Sequence, residues 1–141
     1  MIIGFFFNAF VVAIVVMLHY EFLYQMTRFI PKCTLRYRFR IVLGVFGTLL
    51  AHVAEIWIFA LAYYYMHNDK GWGSLEGNYN GSFIDSAYFS LTTFTTLGFG
   101  DIEPHGELRF LVGIEAVTGL VLITWSASFL YIEMQRYWNN K

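Results

Sequence analysis

The chain has 141 residues, of which 57% are hydrophobic, 21% aromatic and only 13% charged, with a formal net charge of −1. Soluble domains carry about a quarter charged residues, so the apolar excess calls for lipid contact in addition to a packed core. Near-neutrality gives no sign of nucleic-acid binding. The lone Cys33 cannot form an intrachain disulfide, and no Cys/His run has structural zinc spacing.

In chain order, the first apolar stretch runs from Ile2 to Leu23, the second from Ile41 to Met66 and the last from Leu108 to Met134. Each exceeds the roughly 20 residues that cross a bilayer as a helix. Nothing basic precedes the first stretch and no small-residue cleavage site follows it, so a retained membrane helix over 1–24 is expected. It has no ladder of arginines, so it is not a voltage sensor. Residues 25–40 form a basic connector with Arg28, Lys32, Arg36, Arg38 and Arg40, and Pro31 marks a helix break. The remainder, 41–141, is one further unit. Its fourth apolar segment, Phe83 to Phe94, is too short to span and suits a re-entrant helix. Ser82 is a fitting N-cap for it, with Asp85 in the first turn.

Basic residues set the expected orientation. The connector and the C-terminal Arg136 and Lys141 belong in the cytoplasm by the positive-inside rule, with the N-terminus and residues 67–82 outside. The latter segment holds six Gly and Asn residues between Gly71 and Gly81 and reads as a solvated turn region. Trp72 and Tyr63–Tyr65 are expected at the outer interface, and Tyr137 and Trp138 at the inner one.

The short segment ends in Thr92-Thr93-Phe94-Thr95-Thr96-Leu97-Gly98-Phe99-Gly100-Asp101. These residues resemble the selectivity-filter signature of pore-loop potassium channels, Thr-Val-Gly-Tyr-Gly-Asp. The order of elements is similar too: outer helix 41–66, pore helix 83–94, filter 95–101, inner helix 108–134. The resemblance does not cover the first helix. It implies an all-α membrane protein with three transmembrane helices and a re-entrant pore helix, tetrameric around a central pore. Potassium would be coordinated at Thr96, Leu97, Gly98 and Phe99, through backbone carbonyls and the Thr96 hydroxyl. Gly98 and Gly100 would supply the positive φ that lets successive carbonyls face one way. Asp101 would close the outer mouth and concentrate cations. Phe99 lacks the hydroxyl of the family's tyrosine, and Phe89 stands where the family often has an indole donor. Tyr88 is a candidate to compensate.

Along the last stretch, Gly119 falls near the family's hinge glycine, or else permits close helix packing. Ile123, Thr124, Ala127 and Tyr131 recur at helical spacing and are candidates to line the cavity. Ser126 and Ser128 suit hydrogen bonds to backbone or to a neighbouring helix. His52 and Glu55 share a helix face near the middle of the second stretch, and Glu115 and His19 are candidates for the same interior. The pair admits three readings: a proton-sensitive gate, two ligands of a metal site, or a structural hydrogen bond that fastens the first helix. No third metal ligand with convincing spacing appears in the sequence. His67 and His105 fall in exterior segments.

The expected activity is passive potassium conduction by four identical chains in a prokaryotic-type cell membrane. No cofactor is expected beyond the permeant ion, no nucleic acid and no enzymatic step. A non-selective cation channel and a non-conducting accessory subunit are the alternatives.

Overall fold

The computed structural model describes residues 2–139. Among them, three helices are long and apolar enough to cross a membrane. The first, α1, runs Ile2–Phe29. Its buried positions, Gly4, Asn8, Val11, Val15, His19, Leu23 and Met26, recur every three or four residues and make one stripe. The helix outlasts the apolar stretch because its last turns are held locally. Thr27 donates to the Leu23 carbonyl (2.9 Å), and Gln25 reaches back to Glu21. A 3₁₀ turn over Ile30–Lys32 then carries Pro31, which cannot extend a helical ladder.

Helix α2 spans Tyr37–Asn68. Arg40 in its first turn folds back to the Leu35 and Cys33 carbonyls and lies against the rings of Tyr37 and Tyr137. That spends one of the connector's cations on tying the two long helices together. Helix α3 covers Phe83–Phe94, with the Ser82 hydroxyl accepting from the Asp85 amide at 3.1 Å as N-cap. Helix α4 covers Leu108–Trp138. The main core gathers Val11 and Val15 of α1, Phe59, Tyr63 and Met66 of α2, Phe89 and Phe94 of α3, and Leu111 and Leu122 of α4. A smaller cluster, Met26, Ile30 and Tyr137, closes the other end.

Two features depart from the sequence reading. The segment expected as a solvated turn contains β1, Ser74–Gly77, which pairs antiparallel with β2, Ile102–His105. An all-α description therefore omits a small ribbon that brackets α3. Leu75 and Ile102 point inward and are buried, and the His67 Nδ1 accepts from the Leu75 amide at 3.1 Å. Tyr63, expected at the interface with Tyr64 and Tyr65, is fully buried, whereas its two neighbours are exposed. Three consecutive residues on a helix point 100° apart, so a run of tyrosines cannot all face one surroundings.

Candidate functional site: the segment after α3 and its support

Between α3 and β2 the chain runs Thr95 to Asp101. Thr96, Gly98 and Gly100 have φ of 59°, 52° and 78°. Every second residue is therefore left-handed, and such alternation turns successive carbonyls toward one side. Glycine takes this conformation freely, but Thr96 is β-branched and pays a steric cost, as residues at working sites often do. A Cβ at Gly98 or Gly100 would meet nothing within 4 Å. The requirement for glycine is thus conformational and not a matter of space. The segment hangs from α3 by three backbone bonds, Thr95 N–H to Leu91 O (3.2 Å), Thr96 N–H to Thr93 O (2.9 Å) and Gly98 N–H to Thr92 O (3.0 Å). At its far end the Asn78 amide donates to the Asp101 carbonyl (2.8 Å), which joins it to the ribbon. Leu97 and Phe99 are 60% and 65% exposed in the single chain.

Tyr88 donates to Asp101 Oδ2 at 2.9 Å. That bond, with a smaller contribution from burial, raises the Tyr88 hydroxyl above its usual pKa. Phe89 instead packs edge-on against Tyr63, with ring centroids 5.1 Å apart. The hydrogen bond from α3 to Asp101 thus comes from Tyr88 and not from the adjacent Phe89.

Behind α3 sits a buried polar cluster. Glu115 of α4 accepts from Tyr63 of α2 and pairs with Ser90 of α3, whose hydroxyl also contacts the Ile56 carbonyl at 2.9 Å. All three side chains are fully buried. Gly119, one turn further along α4, lies directly under the end of α3: a Cβ there would collide with the Phe94 carbonyl oxygen. Close approach therefore accounts for this glycine. Ile123, Thr124, Ala127 and Tyr131 are exposed on the single chain. Thr124 and Ser128 bond within their own helix, Thr124 to the Leu120 carbonyl (2.8 Å) and Ser128 to the Thr124 carbonyl (3.1 Å).

Glu115 does not join His52 and Glu55. Those two form a second cluster, completed by His19 of α1. His19 Nδ1 lies 2.6 Å from Glu55 Oε1, and His52 Nδ1 lies 2.8 Å from Glu55 Oε2. His52 Nε2 meets the Ser126 hydroxyl of α4 at 3.1 Å. The sequence offered His19 as a candidate for the interior but not as a partner of this pair. Helical periodicity puts it on the buried stripe of α1, yet cannot say how α1 is rotated against α2.

A family model described as "Ion channel" matches residues 51–136, more than half of the chain. Among curated proteins, the inward rectifier potassium channel Kirbac3.1 of Paramagnetospirillum magnetotacticum is 36% identical over 63 residues, covering 44% of this chain and 21% of the relative. The voltage-gated delayed rectifier potassium channel KCNH1 of Rattus norvegicus is 34% identical over 79 residues, covering 53% of this chain and 8% of the relative. The human KCNH1 matches over the same extent. The chain therefore spans about a fifth or less of the length of these relatives. No solved structure gives a significant match. The chain belongs to the pore-loop potassium channel family.

Proposed function

We propose that four copies of this chain surround one potassium-selective pore, with Thr96, Leu97, Gly98, Phe99 and Gly100 as the filter and Asp101 at its outer mouth. The observation that carries the reading is the alternation of left-handed residues at Thr96, Gly98 and Gly100 directly after a short helix. A dehydrated potassium ion needs a column of oxygens on one side of a strand, and a single strand cannot encircle it. The exposed Leu97 and Phe99 suit burial against a neighbouring copy. Two relatives named as potassium channels support the choice of ion. In this reading α3 is the re-entrant pore helix, and the C-terminal end of its dipole favours a cation below the filter. Helix α4 lines the cavity, with Ile123, Thr124, Ala127 and Tyr131 as candidates. Residues 67–82 face the outside, and the basic connector and the C-terminus face the cytoplasm of a cell membrane.

Cation flux into liposomes holding the purified protein tests this. Potassium flux well above sodium flux, abolished by Gly98→Ala, is the expected outcome. Equal fluxes lost together in the variant would keep the pore and refute selectivity. No flux of either ion would refute conduction by this chain alone.

A further inference from the structure

We propose that His19, His52 and Glu55 form a binding site for a divalent transition metal of the zinc class, which fastens α1 to the pore-forming helices. The proposal does not depend on the filter reading.

The donor set is the first ground. Two imidazoles and one carboxylate are the ligands zinc takes in its three-residue sites, where a fourth position stays open. The spacing is the second. Ligand atoms about 2.0–2.2 Å from one zinc ion lie roughly 3–3.5 Å from one another. Here one ligand atom from each residue lies within 4.8 Å of the other two, and the two imidazoles already reach the two oxygens of the one carboxylate, His19 at Oε1 (2.6 Å) and His52 at Oε2 (2.8 Å). Little movement is needed to seat an ion among them. His52 and Glu55 are fixed on one turn of α2, and His19 arrives from α1, so a bound ion would bridge two helices.

Charge is the third ground. Glu55 is fully buried in an apolar span, and among the described residues its ion-pair partners are the two imidazoles. An ionised carboxylate in such a place is stabilised by a nearby positive charge. A metal ion supplies it while leaving both rings neutral.

The outer contact of His52 fits as well, whereas His19 Nε2 is buried with no oxygen partner. A metal-bound His usually donates its other ring N–H to an oxygen, which fixes the tautomer. With Nδ1 on the ion, His52 would donate from Nε2 to the Ser126 hydroxyl, now 3.1 Å away. A hydroxyl both donates and accepts, so Ser126 serves the metal-free and metal-bound tautomers alike. His19 packs against the Trp125 ring (5.1 Å) and His52 against Phe94 (5.7 Å), which hold both imidazoles in place. His52 is 15% exposed in the single chain. Through Ser126 and Phe94 the site touches both α4 and the end of α3.

The test is titration of the untagged, purified full-length protein with Co²⁺ and then Zn²⁺. The expected result is a saturable visible ligand-field spectrum at one Co²⁺ per chain, erased by Zn²⁺, together with a raised thermal midpoint in Zn²⁺. Glu55→Gln and His19→Gln should lose the spectrum. Ser126→Ala should weaken binding by about tenfold or more, as removal of an outer partner does. His105→Gln, in the exposed ribbon, should change nothing. Because the α1 and α2 variants can loosen the helices, the wild-type spectrum stands as a separate criterion. Wild-type protein with no saturable Co²⁺ spectrum and no Zn²⁺ effect on the midpoint would overturn the proposal, leaving a hydrogen-bonded brace. A spectrum that persists in both Glu55→Gln and His19→Gln would overturn it too, by putting the ion elsewhere.

Discussion

The segment after α3 and the polar cluster behind α3 solve opposite problems with the same few helices. In front, Thr96 to Gly100 are exposed, left-handed at every second residue and held by few bonds, with Thr96 bearing the strain. Behind, Tyr63, Ser90 and Glu115 are fully buried and bonded to one another across three helices. The contrast teaches where the shape of the front comes from. A strand whose carbonyls were kept free for an ion, as proposed above, could not spend them on holding itself, so its geometry would be imposed by the helix it hangs from. That helix is pinned from the rear by Glu115 and pressed from below by Gly119.

The sharpest way to break this comparison is to strain the front alone. Gly98→Ala puts a side chain at φ +52° with open space around it, and Gly81→Ala does the same at φ +74° in the loop ahead of α3. Each substitution costs about 1–2 kcal/mol of backbone strain per chain. Potassium flux should vanish in Gly98→Ala, where four strained strands would meet, and stay near wild type in Gly81→Ala. Equal losses in the two variants, measured in the same liposome assay, would show that global stability and not carbonyl geometry limits flux.

Next in size is an attack on the rear. Glu115→Ala strips the partner from the Tyr63 hydroxyl and removes one of two acceptors from Ser90. Leaving buried polar groups unpaired and opening a cavity beside α3 costs about 2–5 kcal/mol. Thermal unfolding should fall accordingly, and surviving channels should lose potassium-over-sodium preference. Glu115→Gln keeps the volume and a hydrogen-bonding end, so it should retain most of both. If both variants kept wild-type stability and preference, the rear cluster would have no part in shaping the front.

How much of this arrangement could be read in advance divides along the same line. The front was legible: Gly98 and Gly100 alternate with apolar residues, and Ser82 with Asp85 announces the helix ahead of them. The three long helices were legible from their apolar length, although their ends were not, because polar turns such as Gln25 to Arg28 continue a helix as easily as they leave one. The ribbon was hidden. Its strands are four residues each, one lies in a Gly- and Asn-rich segment, and their pairing joins Ser74 to His105 across the whole of α3. The rear clusters were visible only as isolated ionisable residues in apolar runs. Which of them meet depends on how helices rotate against each other, and a single helix's periodicity does not carry that information.

Gly119→Ala tests the join between the two regions. A Cβ there collides with the Phe94 carbonyl, a backbone atom that moves only if the end of α3 moves. Overpacking of this kind costs about 1–3 kcal/mol. If the glycine serves close approach, Gly119→Ala should lower both the thermal midpoint and the potassium preference. A hinge role would instead change open probability in single-channel recordings while leaving the midpoint alone.

The smallest effect is expected at the outer end, where Tyr88 meets Asp101 in an exposed bond. Tyr88→Phe should fold normally and conduct potassium, with a modest rise in relative sodium flux as the Asp101 carboxylate gains freedom. The pH dependence has a definite sign. The hydrogen bond raises the folded-state pKa of Tyr88 above the unfolded value, so its contribution is complete below the usual tyrosine range. It is lost as pH rises through the folded-state value, where the phenolate would face the Asp101 carboxylate. Wild-type selectivity should therefore decline at strongly alkaline pH, and Tyr88→Phe should show no such decline. A matching alkaline loss in the variant would assign the effect to another group and detach Tyr88 from the outer mouth.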